Sequence, residues 1–156
     1  MTETISKKPI SIHELLARSY MVFFVAFLIG IILEVEFPLN KNISDIGTGY
    51  LLLFVGTILV IWAQNTSRSG KKERLSGSVS SSNFFKGPYK ITRTPTHLGM
   101  LLTVLGAGFV WGSLWMVLGS VVAYLITKFT FVKKEEEILE ERYGEPYLEY
   151  KKKIKI

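Results

Sequence analysis

The chain contains no cysteine, so disulfides, thiolate metal sites and a cysteine nucleophile are all excluded. Its only histidines, His13 and His97, lie far apart in sequence. A His-rich metal site is therefore not expected, and no metal is assigned. No G-x-G-x-x-G run occurs, so a Rossmann-type phosphate loop is missing as well. Acidic residues are outnumbered by basic ones, 13 against 19, giving a net charge of +6. On a soluble domain that surplus would suggest nucleic acid. Here the basic residues sit in loops beside apolar runs, so the expected partner is the anionic face of a bilayer, with no nucleic acid.

What is abundant is apolar length. Hydrophobic residues make up 48% of the 156, mean hydropathy is +0.29, and they are gathered into long runs. Four membrane spans are predicted: Tyr20 to Phe37, Gly49 to Gln64, Leu98 to Trp111, and Leu114 to Val132. Helices are the expected form, because open strands cannot satisfy their backbone in lipid. Ser11-Ile12-His13-Glu14 has capping-box form and predicts a short interfacial helix before the first span. No cleaved leader is read at the N-terminus.

The expected organisation is one all-α integral-membrane domain over residues 1–156. It comprises an interfacial segment at 1–19, four transmembrane helices within 20–132, a cytosolic loop at 65–97 and a helical tail at 133–156. The segment from Asn65 to His97 carries Arg68, Lys71, Lys72, Arg74, Lys86, Lys90 and Arg93 against Glu73 alone. The tail carries Lys133, Lys134 and Lys151-Lys152-Lys153, and the N-terminal flank Lys7, Lys8 and Arg18. The opposite loops are nearly uncharged, so both termini and the long loop are predicted to be cytoplasmic. Gly-Ser composition at Ser67 to Ser82 reads as flexible loop. Glu34 and Glu36 lie at the far interface, and Trp62, Trp111 and Trp115 fit an interfacial belt.

Gly87-Pro88-Tyr89 through Arg93-Thr94-Pro95-Thr96-His97-Leu98-Gly99 forms a polar junction leading into the third span. Pro95 suits the first helical position, which puts Thr94 at the N-cap with its hydroxyl expected to accept from Thr96 or His97 N–H. That helix start, with Arg93 beside it, is a candidate anion site. In the tail, Gly144 is the expected cap of one helix and Pro146 the start of another. Glu135 and Glu136 lie at the membrane surface near the junction. A carboxylate there either pairs with Arg93 or meets a cationic ligand, and both readings stay open.

Four motifs in order carry a family resemblance: Gly87-Pro88-Tyr89, Arg93 to Gly99 as Arg-x-Pro-x-x-x-Gly, Glu135-Glu136-Glu137-Ile138-Leu139, and the tyrosine pattern from Tyr143 to Tyr150. Across Lys86 to Lys153 the chain resembles the isoprenylcysteine carboxyl methyltransferase family of integral-membrane methyltransferases, including its small bacterial members. The resemblance implies an enzyme that binds S-adenosylmethionine at the cytosolic face, in a bacterial inner membrane. It transfers a methyl group to a small lipophilic or lipid-like acceptor. It also implies cofactor contacts from Tyr89, Thr94, Pro95, Thr96, His97 and Glu135, with Ser81, Ser82, Asn83 and Phe84 as weaker matches. Arg93, Glu135 and Glu136 are the candidate catalytic residues. The chain departs from the family pattern at Thr94, where His or Asn is usual, at His97, where Tyr is usual, and at Phe131, where larger members carry Arg. Two alternatives remain: an NADPH-dependent reductase resembling the sterol reductases, whose junction is similar, and an inactive membrane relative. The oligomeric state is not predicted.

Overall fold

A computed structural model describes residues 12–39, 43–76 and 80–154. Ser11, and with it the proposed capping box, lies outside these residues. Six helices follow in order: α1 (Ile12–Glu36), α2 (Ile46–Ser76), α3 (Pro95–Trp111), α4 (Leu114–Thr127), α5 (Lys133–Tyr143) and α6 (Glu145–Lys153). Short 3₁₀ turns occupy Ser81–Asn83 and Gly87–Lys90. The described residues contain no strand.

The stretches of α1, α2 and the α4–α5 rod at Glu14–Glu36, Ile46–Gly70 and Leu114–Tyr143 are long and apolar enough to cross a membrane. α3 is equally apolar but has 17 residues. That is about 25 Å of helix against a hydrocarbon core of about 30 Å. Phe24, Ile32, Leu51, Phe54, Leu118 and Val122 are exposed on the bundle surface. In water such a belt would be strongly unfavourable; in lipid it is the solvated face.

α2 packs along α3, α3 against α4, and α4 against α1. The pairs are antiparallel. Gly49, near the start of α2, meets Val110 near the end of α3, and Gly30 of α1 meets Met116 near the start of α4. The α3–α4 hairpin closes through Gly112, whose φ of 68° is a left-handed conformation that suits glycine. Ser113 then caps α4, its hydroxyl accepting from Met116 N–H at 3.2 Å. At that end of the bundle, Trp115 Nε1 donates to the Phe37 carbonyl at 2.8 Å.

Two expectations are corrected. First, α2 does not end at Gln64. It stays helical to Ser76, so Ser67 to Lys72, read as flexible loop, is helix, and the loop before α3 is correspondingly shorter. Second, the helix expected to lead into the first span is not a distinct element: α1 runs unbroken from Ile12 to Glu36. At the other end, α4 runs through a π-turn at Lys128–Val132 directly into α5. Gly144 separates α5 from α6 with φ 56° and ψ −134°, again a glycine conformation.

Candidate functional site

The polar end of the bundle gathers the start of α1, the end of α2, the 87–90 turn, the start of α3 and the two tail helices around one cavity of about 300 Å³. Of the residues singled out from sequence, Tyr89, Arg93, Thr94, Pro95, Thr96, His97, Glu135 and Phe84 line it. Ser81 and Ser82 do not, and neither does Glu136; the side chain of Asn83 lies outside the described residues. Sequence reasoning missed Leu139, Arg142, Tyr143, Tyr147, Tyr150, Thr66 and Ser67. The tyrosines had been noted as a motif, and their regular spacing was the available signal. Thr66 and Ser67 were hidden by the loop reading of α2.

Glu135 and Glu136 are neighbours on α5, about 100° apart around the helix, and they do different things. Glu136 faces Arg93, with Nη1 to Oε1 at 2.7 Å, and also meets Lys151 Nζ at 3.0 Å. The Arg93 contact is ionic rather than a directed hydrogen bond, since Nη1 lacks hydrogen-bond geometry. Lys151 also pairs with Glu140. The junction, α5 and α6 are thus held together by charge. Replacing Glu136 with glutamine leaves Arg93, only 19% exposed in its side chain, without that counter-charge. A loss of about 2 kcal/mol in stability is expected, measurable as a lower melting temperature in detergent.

Glu135 points elsewhere. Its Oε1 is buried with no hydrogen-bond partner among the described residues, and the residue lines the cavity. The apolar run of the α4–α5 rod ends at Val132, and Glu135 follows it in the charged stretch that begins at Lys133. Burial, reinforced by the Glu136 carboxylate, raises its pKa to about 8. A carboxyl in that state accommodates a cation readily, because pairing would offset its desolvation.

The start of α3 differs from expectation in detail. Thr94 is the N-cap but makes no side-chain capping bond. Its own N–H donates to Thr92 Oγ1 at 3.2 Å. His97 is 2% exposed, and its Nε2 lies 3.2 Å from Ser19 Oγ. The Ser19 hydroxyl donates to the Leu16 carbonyl at 2.8 Å. With its one proton so used, it accepts from His97, which assigns the ring hydrogen to Nε2. His97 thereby ties α3 to α1, a packing role that sequence alone did not indicate.

An aromatic wall closes the cavity on the tail side. Phe84 meets Tyr143 and Tyr147 edge-on at 5.3 and 5.4 Å, and Phe85 meets Tyr150 at 5.0 Å. The Tyr150 hydroxyl donates to the Tyr89 carbonyl at 2.8 Å. Burial raises the Tyr89 phenol pKa, against the pull of hydrogen bonds from Thr96 and Ser67. Tyr147 and Tyr150 are likewise held neutral, chiefly by burial.

The fold and the cavity define an integral-membrane helical protein with a partly charged, aromatic-walled binding site at one end. The phospholipid methyltransferase family model matches residues 45–146. That is well over half of the chain, from the head of α2 to the start of α6, and the chain belongs to this family. The family falls within the same superfamily of membrane methyltransferases as the isoprenylcysteine carboxyl methyltransferases. No curated protein and no solved structure matches the chain.

Proposed function

We propose that this chain is an S-adenosylmethionine-dependent methyltransferase acting on a lipid or small lipophilic acceptor. In this reading α3 crosses the bilayer with the other three spans, since it packs antiparallel along α2. The reading puts both termini and the cavity on the cytoplasmic side, which the basic flanks support, and takes the membrane to be a bacterial inner membrane. The kinship to isoprenylcysteine carboxyl methyltransferases belongs to the same reading.

Glu135 carries it. A half-buried glutamate whose Oε1 has no hydrogen-bond partner among the described residues faces a cavity that aromatic rings, the start of α3 and basic side chains also line. The residues present fit the cofactor. Glu135 answers a cation, while Phe84, Tyr89 and Tyr143 offer faces and edges for a purine. A volume of about 300 Å³ is at the lower end of small-molecule sites, which run from about 300 to 1,000 Å³. When bound, S-adenosylmethionine supplies an electrophilic methyl group on a positively charged sulfur. The protein's part is alignment and charge balance. Glu135 offsets positive charge, the aromatic wall excludes water, and the Arg93–Glu136–Lys151 ion pairs hold α5 in register with α3. A lipid headgroup reaches this level from the bilayer surface, where Glu135 sits about one helical turn beyond the apolar span.

Calorimetric titration of the detergent-purified chain with S-adenosylhomocysteine and with NADPH tests the reading. Saturable binding of the first is expected. Binding of NADPH alone, or of neither, would sink it.

The pKa of Glu135 sets a pH dependence. In the free protein the carboxyl is mostly protonated below about pH 8, and a cation favours its ionised form. Binding below that pH must therefore release a proton. S-Adenosylmethionine affinity is expected to rise with pH and level off above about 8. The ligand's own amine also titrates, so the informative quantity is the difference between wild type and Glu135→Gln, which should lack this step. Identical profiles would remove Glu135 from the cation site.

A further inference from the structure

Arg142 is a cation at the cavity that ordinary packing leaves unexplained. It lines the cavity yet is solvent-exposed. Arg93 and Lys151 are engaged with Glu136 and Glu140, but Arg142 has no ion pair or hydrogen bond among the described residues. Glu135, Leu139 and Arg142 are spaced i, i+4, i+7 on α5 and all three line the cavity. They form one stripe about 10 Å long, with a half-buried carboxyl at one end and, at the other, a guanidinium that is unpaired among the described residues. A ligand laid along this stripe is read as a zwitterion, its positive charge toward the bilayer and its negative charge toward water.

We propose that Arg142 anchors the carboxylate of the methyl donor's amino-acid portion. The proposal rests on the methyltransferase reading above and specifies how the donor is oriented in the same cavity. Two oxyanions are chemically possible here, the donor's carboxylate and the phosphate of a lipid acceptor, and height separates them. Arg142 lies ten residues beyond Val132, about 15 Å along the helix. The headgroup layer on one side of a bilayer is only about 5–8 Å thick. Glu135 is level with headgroups, whereas Arg142 is on the aqueous side of them. The water-soluble donor therefore meets Arg142, and its reactive end is directed toward Glu135 and the bilayer. A guanidinium suits this role through paired N–H donors to a carboxylate.

The test uses the whole chain in detergent and three ligands: S-adenosylhomocysteine, which has the carboxylate; 5′-methylthioadenosine, which shares its adenosine thioether but lacks the amino-acid part; and glycerophosphoethanolamine, which carries a lipid headgroup's phosphate. Arg142→Gln is expected to weaken S-adenosylhomocysteine about tenfold. Methylthioadenosine affinity and the melting temperature should stay the same, and Arg142→Lys should recover part of the loss. Unchanged S-adenosylhomocysteine binding in Arg142→Gln overturns the proposal. So does a parallel loss for both ligands, which would mean general disturbance of the cavity. A loss confined to glycerophosphoethanolamine would assign Arg142 to the acceptor's phosphate and overturn it too. Failure of the wild type to bind S-adenosylhomocysteine is a separate outcome that removes the methyltransferase reading, and the proposal with it.

Discussion

Glutamine in place of Glu135 should lower the affinity for S-adenosylmethionine about 100-fold while leaving the empty protein as stable as before, or more so. The two effects have one cause. In the unliganded protein Glu135 Oε1 is buried without a partner, an arrangement that costs free energy each time the group ionises. Glutamine has nearly the same shape and no charge, so the folded chain loses a liability. The bound cation, in contrast, loses its counter-charge in a site where water screens poorly. A residue serving only the fold would behave the opposite way, with stability falling and affinity following it down. Isothermal titration paired with thermal melting separates the two cases. Unaltered affinity would place the cation elsewhere, and a melting temperature falling with affinity would reduce Glu135 to a packing residue.

The second large effect is expected from the α2–α3 seam. A Cβ built on Gly56 lies 2.7 Å from the Gly99 carbonyl oxygen and 2.7 Å from Thr103 N. Those are backbone atoms of the partner helix, so no side chain can turn aside to make room. Gly99 and Gly106 show the same intimacy from the opposite helix. Small residues permitting backbone contact are a general means of joining helices in lipid, where apolar burial offers little driving force. Gly56→Leu therefore has to force the helices apart. A loss of about 3 kcal/mol is expected, or roughly 10 °C in melting temperature. Cofactor binding should weaken as well, because the displaced helix begins at Thr94–His97. Gly47→Ala is the control: its Cβ meets only a side-chain oxygen of Asp45, at 3.6 Å, and should change little. Equal melting of the two variants would mean that the seam is looser than its contacts indicate.

Much of this was legible in the sequence because it depends on local chemistry. Apolar length marks the helices, and Pro95 and Gly144 mark where helices start and stop. The α2 extension was not legible. Ser67 to Lys72 has loop composition, yet a helix already nucleated over a long apolar run propagates at one hydrogen bond per residue fixed, and a weak sequence can ride on it. The division of labour between Glu135 and Glu136 was out of reach for another reason. Adjacent positions on a helix face different directions, and only the tertiary placement of Arg93 decides which one is neutralised. The Thr94 cap failed similarly: the local rule supplies a candidate acceptor, but the backbone of Thr94, at φ −125° and ψ 52°, is not the extended form usual at an N-cap, and its hydroxyl makes no capping bond. His97 was read as a ligand contact because the Ser19 hydroxyl it meets is 78 positions away.

The uninterrupted passage from α4 through the π-turn into α5 makes the 30 residues Leu114–Tyr143 a single strut of about 45 Å. In the proposed reading one part is immersed in lipid and the other stands in water, with no hinge between them. The elevation of Glu135 above the hydrocarbon is consequently a fixed count of helical residues from Val132, not the outcome of a loop finding its place. The membrane acts as the datum from which the cavity is levelled. A lipid held at its natural depth arrives at the height of the carboxyl without having to be lifted from the bilayer.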